Sequence, residues 1–422
     1  MQSAPNNPVL RHEGRHMQPS FSGANTSTER SVIQPLDQIL KQAVIQGASD
    51  IHFETGETEF RARYRIDGIL HTAATPALQL RDAMISRLKV LARMDIAEKR
   101  VPQDGRIQYP YQGRLIDLRV SSLPTLHGEK MVVRLLNINR ERPSLEALGY
   151  ESDDQAKLLT AIAQPHGMVL MTGPTGSGKT LSLYSCLELL NRSEVNIYTV
   201  EDPSEIQLLG VNQVNINERA GVTFASTLRA LLRQDPDIIM VGEIRDVETA
   251  SIAIQAAQTG HLVLSTLHTN DAPSTLARLR HMGIEAFNVA ASLILVVAQR
   301  LVRRLCPVCK HPASTSQTAA WLGQLSAQDQ IAIGLASRPT PSLYQAVGCD
   351  ACHQGYKGRV GIYQVMPISD ALQTLILQNA SSQDLGTQAG RDGVRTLRQA
   401  GWLKALQGIT SVQEVMTLTH HG

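Results

Sequence analysis

The sequence predicts an α/β protein in which a parallel-sheet domain with a phosphate-binding loop follows a small α+β domain. From about residue 150 onwards, apolar runs typical of buried strands alternate with helical segments, which is the pattern of a parallel α/β sheet. One of these runs leads into a glycine-rich loop at residues 173–180. Residues 31–139 instead combine helical segments with runs in which apolar and charged residues alternate, as in a half-buried sheet.

The composition of the chain limits its possible functions. Its 422 residues are 42% hydrophobic and 18% charged, which fits a globular protein of two or three domains. Forty Lys and Arg residues nearly balance 38 Asp and Glu residues, so no global field attracts nucleic acid or an anionic membrane. The apolar stretch around Val289 to Ala298 is too short to span a bilayer, and the N-terminus lacks a signal core. We therefore expect a cytosolic protein without direct membrane insertion.

The first part of the chain is predicted to contain a tail and the small domain. Residues 1–30 are rich in Asn, Ser, Gln, His and Pro, so they are expected to form a disordered tail. In the domain at 31–139, the run FRARYRIDGIL predicts a β-hairpin that turns at Asp67-Gly68, with one apolar face and one basic face. An amphipathic helix is expected from roughly Leu80 to Glu98.

The remainder of the chain is predicted to be a linker and one large domain. Residues 140–149, RERPSLEALG, read as the linker. Residues 150–422 form the predicted phosphate-loop domain, with helices at its C-terminal end. Within it, the stretch from about 311 to 348 is rich in Ala, Ser, Gln and Pro and is expected to be loop-like.

The stretch MVLMTGPTGSGKT contains an apolar strand, a glycine loop and the start of a helix, and it fits the P-loop pattern in full. Backbone N–H groups of such a loop close on phosphate oxygens, and the helix N-terminus adds partial positive charge. Lys179 should reach the β- and γ-phosphates, and the Thr180 hydroxyl should ligate Mg²⁺. The predicted nucleotide-binding residues are Gly173, Pro174, Thr175, Gly176, Ser177, Gly178, Lys179 and Thr180.

Hydrolysis of a nucleotide also requires acidic groups near the phosphates, and two acidic clusters follow apolar strands. The run DIIMVGEIRD places Glu243 directly after a buried strand, and NIYTVEDPSE supplies Glu201, Asp202 and Glu205. Any single carboxylate can simply be a solvated loop charge, which is the better interpretation for residues 246 and 248. Clustering at strand ends favours a functional role for Glu243.

The run HLVLSTLHTND contains two histidines, His261 and His268, on either side of a predicted strand. In a strand, side chains seven positions apart point to opposite faces, and their residues lie about 23 Å apart. The two rings therefore cannot share a metal ion. Ligands bind at the carboxyl ends of parallel strands. His268 is therefore the better candidate for sensing a γ-phosphate, whereas His261 is assigned a packing or interface role.

Four of the five cysteines form two C-x-x-C pairs, Cys306 with Cys309 and Cys349 with Cys352. Each pair can present two thiolates, enough together for a tetrahedral Zn²⁺ site, and reduced thiols without a metal are the alternative. The 39 residues between the pairs exceed usual finger spacing, but loop length costs little free energy compared with zinc binding. Cys186, on the helix after the P-loop, is expected to be a core residue.

Several of these stretches together resemble a known family. GPTGSGKT, YTVEDPSEIQLLGVNQVNIN, LLRQDPDIIMVGEIRDVETA, AAQTGHLVLSTLHTNDA and QRLVRRLCPVCK are similar, in order and spacing, to motifs of the type II secretion and type IV pilus assembly ATPases. These motifs are the Walker A, Asp box, Walker B, His box and first cysteine pair. The resemblance covers roughly residues 40 to 420. It implies a RecA-like P-loop ATPase domain preceded by a PAS-like α+β domain, in a ring of six subunits with nucleotide held between the domains.

The resemblance also implies roles for individual residues. It gives Glu243 a role linked to Mg²⁺ and makes Glu205 the group that positions the attacking water. The runs PQDGRIQY and DLRVSSLPTLHGEKMVVRLL resemble first-domain strands whose arginines approach the phosphates. Arg106 and Arg119 are therefore candidate catalytic residues, and Arg134 is a weaker one because its alternative is an exposed sheet face.

The predicted function is that of a cytoplasmic hexameric ATPase, peripheral to the inner membrane. With ATP, Mg²⁺ and Zn²⁺ as cofactors, it would drive pilin or pseudopilin assembly at an inner-membrane platform of a type IV pilus or type II secretion machine. The first alternative is a nucleic-acid motor with a zinc ribbon, which near-neutral charge and the lack of aromatic-basic clusters disfavour. The second is a scaffold with a dead site, which intact Lys179, Glu205 and Glu243 disfavour.

Overall fold

The computed structural model describes residues 26–136, 144–337 and 341–419. These residues form two compact units. The first extends to Leu135 without Asp67–Ile69, and the second comprises Asp67–Ile69 and the chain from Leu136. Most of the predicted tail lies outside the described residues, and the first helix begins within the tail, at Thr26. Residues 137–143, around the start of the predicted linker, also lie outside them.

The first unit is an α+β unit built on a six-stranded sheet of order β3-β2-β1-β6-β5-β4. β1 pairs antiparallel with β2 and β6, and β4 pairs antiparallel with β5. The elements are α1 (Thr26–Ile45), β1 (Asp50–Thr55), β2 (Phe60–Ile66), β3 (Ile69–Ala74), α2 (Arg81–Leu91), β4 (Gln103–Tyr111), β5 (Arg114–Thr125) and β6 (Gly128–Leu136), with a short 3-10 helix at Leu78–Leu80. The helix α2 is shorter than predicted and ends before Arg93, which has a left-handed backbone with φ +57°.

The alternation predicted for the hairpin is present in β2. Its apolar side chains are buried, while its arginines lie on the opposite, partly exposed face. On that face Glu54 accepts hydrogen bonds from Arg61 at 2.9 Å, Arg63 at 2.7 Å and Lys130 at 3.2 Å. Burial alone would raise the pKa of Glu54, but hydrogen bonds from Arg63, Arg61 and Lys130 outweigh it and lower that pKa to about 2. One carboxylate thus partly neutralises three cations of the basic face.

The second unit is an α/β unit. Its elements are α3 (Leu145–Leu148), α4 (Ser152–Ile162), β7 (Gly167–Thr172), α5 (Lys179–Leu190), β8 (Ile197–Glu201), β9 (Asn212–Asn215), α6 (Phe224–Leu231), β10 (Ile238–Val241), α7 (Val247–Gln258), β11 (Leu262–Leu267), α8 (Ala272–His281), α9 (Ala286–Ser292), β12 (Leu293–Leu305), β13 (His311–Pro312), α10 (Thr315–Leu322), α11 (Ala327–Ala332), β14 (Tyr344–Gln345), β15 (Tyr356–Pro367), α12 (Asp370–Leu377), α13 (Ser382–Arg391), α14 (Leu397–Leu406) and α15 (Val412–Leu418). Short 3-10 helices lie at Glu218–Ala220 and Leu335–Ser337. α3 falls within the predicted linker.

A seven-stranded sheet of order β15-β12-β7-β11-β10-β8-β9 forms the centre of this unit. Its strands run parallel except β15, which pairs antiparallel with β12. Alternate residues of β7 enter two different cores, Met168 and Leu170 one of them and Val169 and Met171 the other. Burial on both faces explains why β7, β10 and β11 are such continuous apolar runs. The fold class predicted from the sequence is confirmed, and the carboxyl ends of β7, β8, β10 and β11 lie along one edge.

The expectation that residues 311–348 are loop-like is wrong. This stretch contains α10 and α11, each begun by a serine that caps the helix: the Ser314 hydroxyl accepts from Gln317 N and the Ser326 hydroxyl from Asp329 N. Apolar side chains of the segment join a core cluster around Trp402 of α14, which is fully buried. The helices are therefore held by a distant part of the chain, and their sequence alone shows little apolar periodicity.

No helix in the described part of the chain is long and apolar enough to cross a membrane. 

Candidate active site

The glycine-rich loop connects β7 to α5 at the edge of the sheet. Gly173 has a positive φ of 148°, and an added Cβ there would lie 2.4 Å from the carbonyl oxygen of Gln299 on β12, so only glycine fits. The Gln299 side-chain amide in turn donates to the Ser177 carbonyl at 2.8 Å. The loop is thus held in place by the neighbouring strand, with the N-terminus of α5 at its end.

Lys179, the first residue of α5, is largely buried and turned back onto the loop. Its ammonium donates to the carbonyl oxygens of Gly173 at 2.8 Å and Pro174 at 3.1 Å. Burial lowers the pKa of Lys179 to about 8, and the nearby Glu243 carboxylate opposes this shift. A phosphate group at the loop would supply the negative charge that this desolvated ammonium lacks.

The acidic cluster after β8 separates into groups with different surroundings. Glu201 is buried and accepts hydrogen bonds from the hydroxyls of Tyr184 and, at 2.7 Å, Thr199. Burial first, and then the Glu201 carboxylate, raise the pKa of Tyr184 well above its usual value, so this hydroxyl stays protonated. The Tyr184 oxygen also accepts from the backbone N–H of Glu205 at 3.1 Å. Glu201 and Tyr184 together therefore position the backbone of Glu205.

Glu243 follows β10 and is connected to two basic side chains. Arg245 donates to its Oε1, and His268, directly after β11, places Nε2 3.5 Å from its Oε2. Arg245 also lies 3.6 Å from Asp202, so it bridges the loops that follow β8 and β10. The hydrogen bond to Glu243 raises the pKa of Arg245, which therefore remains a permanent cation beside this carboxylate.

A cavity of about 380 Å³ lies at the carboxyl edge of the sheet and is lined by Lys179, Glu201, Asp202, Glu205, Glu243 and His268. The structure brings together many of the predicted site residues in its lining: Thr175, Gly176, Gly178, Lys179, Thr180, Glu205, Glu243 and His268. Sequence reasoning missed further residues of the lining: Leu183, Phe224, Leu301 and Arg359. The i, i+2 pairing of Glu243 with Arg245 after a buried strand is a signal that could have identified Arg245. Nothing in the local sequence of Arg359 indicates its position.

The predicted arginines of the first unit and His261 lie on other elements. Arg106 on β4 and Arg119 on β5 face each other in register, and both are exposed. Arg134 forms an ion pair with Asp50 at 2.9 Å, which fits its alternative role on the sheet face. His261 lies at the start of β11, where its Nδ1 is 3.0 Å from the Ala256 carbonyl oxygen.

The four cysteines of the two pairs converge. Their sulfur atoms all lie within 4.8 Å of one another, with 3.9 Å between Cys306 and Cys349, 3.7 Å between Cys309 and Cys352, and 3.6 Å between Cys349 and Cys352. All four are free thiols, and Cys186 is separately buried in the core, as predicted. Zinc–sulfur bonds of about 2.3 Å in a tetrahedron place sulfur atoms about 3.8 Å apart, so the cluster has the dimensions to hold a metal ion.

A parallel sheet whose strand-to-helix loop is a complete P-loop, with acidic side chains at the adjacent strand ends, defines the class of P-loop nucleotide-binding proteins. The model of the family described as Type II/IV secretion system protein matches residues 25–417. The chain belongs to this family, as its sequence motifs predict.

Named relatives agree with this membership. The chain is 50% identical over 392 residues to the type IV pilus assembly ATPase PilB of Acinetobacter baylyi, covering 93% of this chain and 67% of that protein. It is 47% identical over 389 residues to the type II secretion system ATPase E of Vibrio cholerae, covering 92% of this chain and 75% of that protein.

Solved structures show the same architecture. The pilus retraction motor PilT with bound ADP matches with a TM-score of 0.59 and 25% identity over 90% of this chain and 96% of that chain. The ATPase DotB of Legionella pneumophila matches with a TM-score of 0.66 over 92% of this chain and 96% of that chain. At 21% identity, the second likeness shows the fold alone.

Proposed function

We propose that this chain is an ATPase that hydrolyses ATP to power pilin or pseudopilin assembly, as one subunit of a ring of six. The observation that supports this most is the convergence of the P-loop with Glu205, Glu243 and His268 around one cavity, in a chain 50% identical to a protein named as a type IV pilus assembly ATPase. Its partners would be platform proteins of the inner membrane, which it would approach from the cytoplasm. Family membership favours this function over that of a nucleic-acid motor.

In this proposal the P-loop holds the triphosphate. Lys179 exchanges its bonds to the loop carbonyls for contacts with the β- and γ-phosphates, because a charged partner is better than two neutral acceptors. The Thr180 hydroxyl and Glu243, directly or through water, are the groups to hold Mg²⁺. Mg²⁺ in such a site neutralises charge that develops on the phosphate oxygens.

The carboxylates have different roles in the proposed reaction. Glu205 orients the attacking water, because its backbone is positioned by Tyr184 and its side chain lines the cavity. Glu243 is too engaged with Arg245 to act as a base and instead serves the metal. His268, beside Glu243 at the end of β11, senses whether a γ-phosphate is present.

The first unit supplies positive charge in the proposed mechanism. Arg106 and Arg119 are adjacent, exposed and unneeded for the core, so they are available to stabilise the charge of the transition state. They can serve a site of the same chain or of a neighbouring subunit.

The four clustered cysteines are proposed to hold one structural Zn²⁺. The amide of Gly348 donates to the Cys309 sulfur at 3.4 Å and that of Cys349 to the Cys352 sulfur at 3.3 Å, which favours thiolates. We expect one zinc per chain by elemental analysis. Cys306→Ser should lose the metal and lower the thermal stability of the C-terminal region. Full stability of a metal-free wild-type preparation would contradict the structural role.

The central test of the proposal is Lys179→Ala. This change removes the point charge opposite the β- and γ-phosphates, so ATP hydrolysis measured by phosphate release should be abolished. Circular dichroism should show a folded protein, because the ammonium contacts only loop carbonyls. Wild-type turnover in this variant would refute the site.

Adding DNA to the wild-type assay separates the alternatives, since stimulation would favour a nucleic-acid motor.

A further inference from the structure

A second cleft of the second unit shares no lining residue with the nucleotide cavity. It encloses about 900 Å³ and is formed by α11, α13, α14 and the start of α8. Four arginines line it, namely Arg300, Arg391, Arg395 and Arg398. Only two carboxylates, Asp271 and Asp329, share the lining with them. Arginines therefore outnumber carboxylates in its lining, although the whole chain is nearly neutral.

The carboxylates of the cleft are already engaged in local structure. Asp271 accepts from Ser274 N at 2.7 Å and so caps α8. Asp329 accepts from the side-chain amide of Gln399 at 2.9 Å, and it also accepts from Ser326 at 2.7 Å. Neither lies within ion-pair distance of an arginine among the described residues, although Asp271 acts on Arg300 and Arg398 acts on Asp329 electrostatically at longer range. They offset part of the positive charge of the cleft without occupying the hydrogen-bond donors of these arginines.

Three arginines of the cleft, Arg300, Arg391 and Arg398, form no ion pair among the described residues. Arg395 is paired with Asp153 at 2.5 Å and with Asp154 at 2.8 Å. Arg300 contacts the Asn270 side chain at 3.3 Å and the Asn270 carbonyl oxygen at 3.5 Å, and Arg398 forms no side-chain hydrogen bond in the described part of the chain, although it attracts the Asp329 carboxylate at longer range. The Nε atoms of both Arg300 and Arg398 are buried without an acceptor. Partly buried guanidinium groups without partners are unfavourable, and an anionic ligand would remove this cost.

The wall formed by α13 contains two glycines. Gly386 and Gly390 lie about one turn apart, Gly390 in the last turn of the helix, and both line the cleft. A Cβ at Gly386 would be 3.7 Å from Pro273, and one at Gly390 would be 4.0 Å from Gln328, both ordinary contact distances. Packing within this chain therefore does not require glycine, which is disfavoured in a helix relative to alanine. The glycines instead leave room for another backbone to approach closely.

We propose that this cleft docks an acidic peptide segment of a protein partner, with its carboxylates on Arg300 and Arg398 and its backbone against the glycine face of α13. The buried Nε atoms of Arg300 and Arg398 without an acceptor favour an anion, and the two glycines of α13 leave room for a polypeptide backbone. Ile331, which is 80% exposed in the lining, offers an apolar contact to the same segment. This inference does not rest on the proposed ATPase activity, because docking needs no nucleotide.

The test is a selection of displayed random peptides on the full chain without nucleotide, followed by affinity measurements on the enriched sequences. We expect enrichment of Asp and Glu, and at least a tenfold loss of affinity in Arg398→Glu. Arg192→Glu is the matched control, because Arg192 is an exposed arginine of the same unit outside the cleft, and it should bind like the wild type. Enriched peptides without acidic residues, no enrichment, or equal binding by Arg398→Glu would overturn the proposal.

A second variant separates docking from folding. Gly386→Ala with Gly390→Ala should raise the melting temperature, since both sites accept a Cβ, and should weaken the selected acidic peptide at least tenfold. Unchanged peptide affinity in this variant would remove the backbone contact from the proposal. Two further results would also overturn the proposal. If inorganic tripolyphosphate bound to Lys179→Ala protein more tightly than the peptide did, the cleft would be a site for small anions. If Arg398→Glu lost self-association, a second copy of the chain would be the occupant.

Discussion

The two sheets of this protein carry their charged side chains in different places. In the first unit, the arginines of β2 lie on its partly exposed face, and Arg106 and Arg119 lie side by side on β4 and β5. In the second unit, the parallel strands β7, β10 and β11 are buried on both faces and contain no charged residue, and Lys179, Glu243 and His268 follow them in the chain. The difference teaches that strand direction decides where chemistry can be placed. A sheet with one open face can present many charges at once, whereas a covered sheet concentrates a few of them at one edge.

The strongest challenge to this comparison is to remove the arginines of the open face. We expect Arg106→Ala and Arg119→Ala each to lower ATP turnover by about 10³-fold or more, because an arginine at a phosphoryl-transfer site is worth about 10³ to 10⁵ in rate. ATP affinity, measured with a fluorescent analogue, should change little.

Arg114→Ala is the matched control, since Arg114 is exposed on the same strand as Arg119. Mixing an arginine variant with Lys179→Ala subunits tests for a shared site, which recovered activity would indicate. Near-normal turnover in both arginine variants would show that the open face has no catalytic part.

Replacing single carboxylates by amides at the edge of the parallel sheet tests the comparison more finely. Glu205→Gln should retain ATP binding while turnover falls about 10² to 10⁴-fold, the range typical of a lost general base. Glu243→Gln should in addition raise the Mg²⁺ concentration needed for half-maximal activity, because it removes the carboxylate charge near Lys179 that is proposed to hold the metal. Titrating Mg²⁺ against turnover for both variants distinguishes the roles. Identical Mg²⁺ dependence and equal loss of ATP affinity would overturn this division.

The smallest expected effect comes from the buried tyrosine behind the edge. Tyr184→Phe removes a hydrogen bond to the buried Glu201 carboxylate and leaves the Glu205 amide without its acceptor. A hydrogen bond to a charged group contributes about 1.5–3 kcal/mol, so we expect about a tenfold lower kcat with KM for ATP unchanged. Tyr198→Phe on β8 is the matched control. A purely structural role would lower the melting temperature and leave kcat of the folded fraction intact.

Much of the second unit could be predicted because its signals are local. The strands β7, β10 and β11 are continuous apolar runs, and the P-loop, Glu243 and His268 directly follow them. Parallel pairing then brings the strand ends together without further information.

The rest depends on contacts between distant parts of the chain. The sequence presents Glu201 and Glu205 as one acidic cluster. Their different surroundings depend on Tyr184 from α5, whose hydroxyl donates to the buried Glu201 carboxylate and accepts from the backbone N–H of Glu205. The helices α10 and α11 are similarly stabilised by Trp402, far along the chain, so composition alone made them look like loop. The cluster of four cysteines could be predicted from their spacing, because two short C-x-x-C motifs contain all four of its thiols.

The strand β12 connects the P-loop with the cysteine cluster. Gln299, within this strand, is hydrogen-bonded to the P-loop, and the strand ends at Leu305, immediately before the first cysteine of the cluster. An extended chain rises about 3.3 Å per residue, so the seven residue steps from Gln299 to Cys306 span at most about 23 Å. A displacement of the loop that keeps the Gln299 hydrogen bond would therefore also act on the strand that leads to the cysteine cluster.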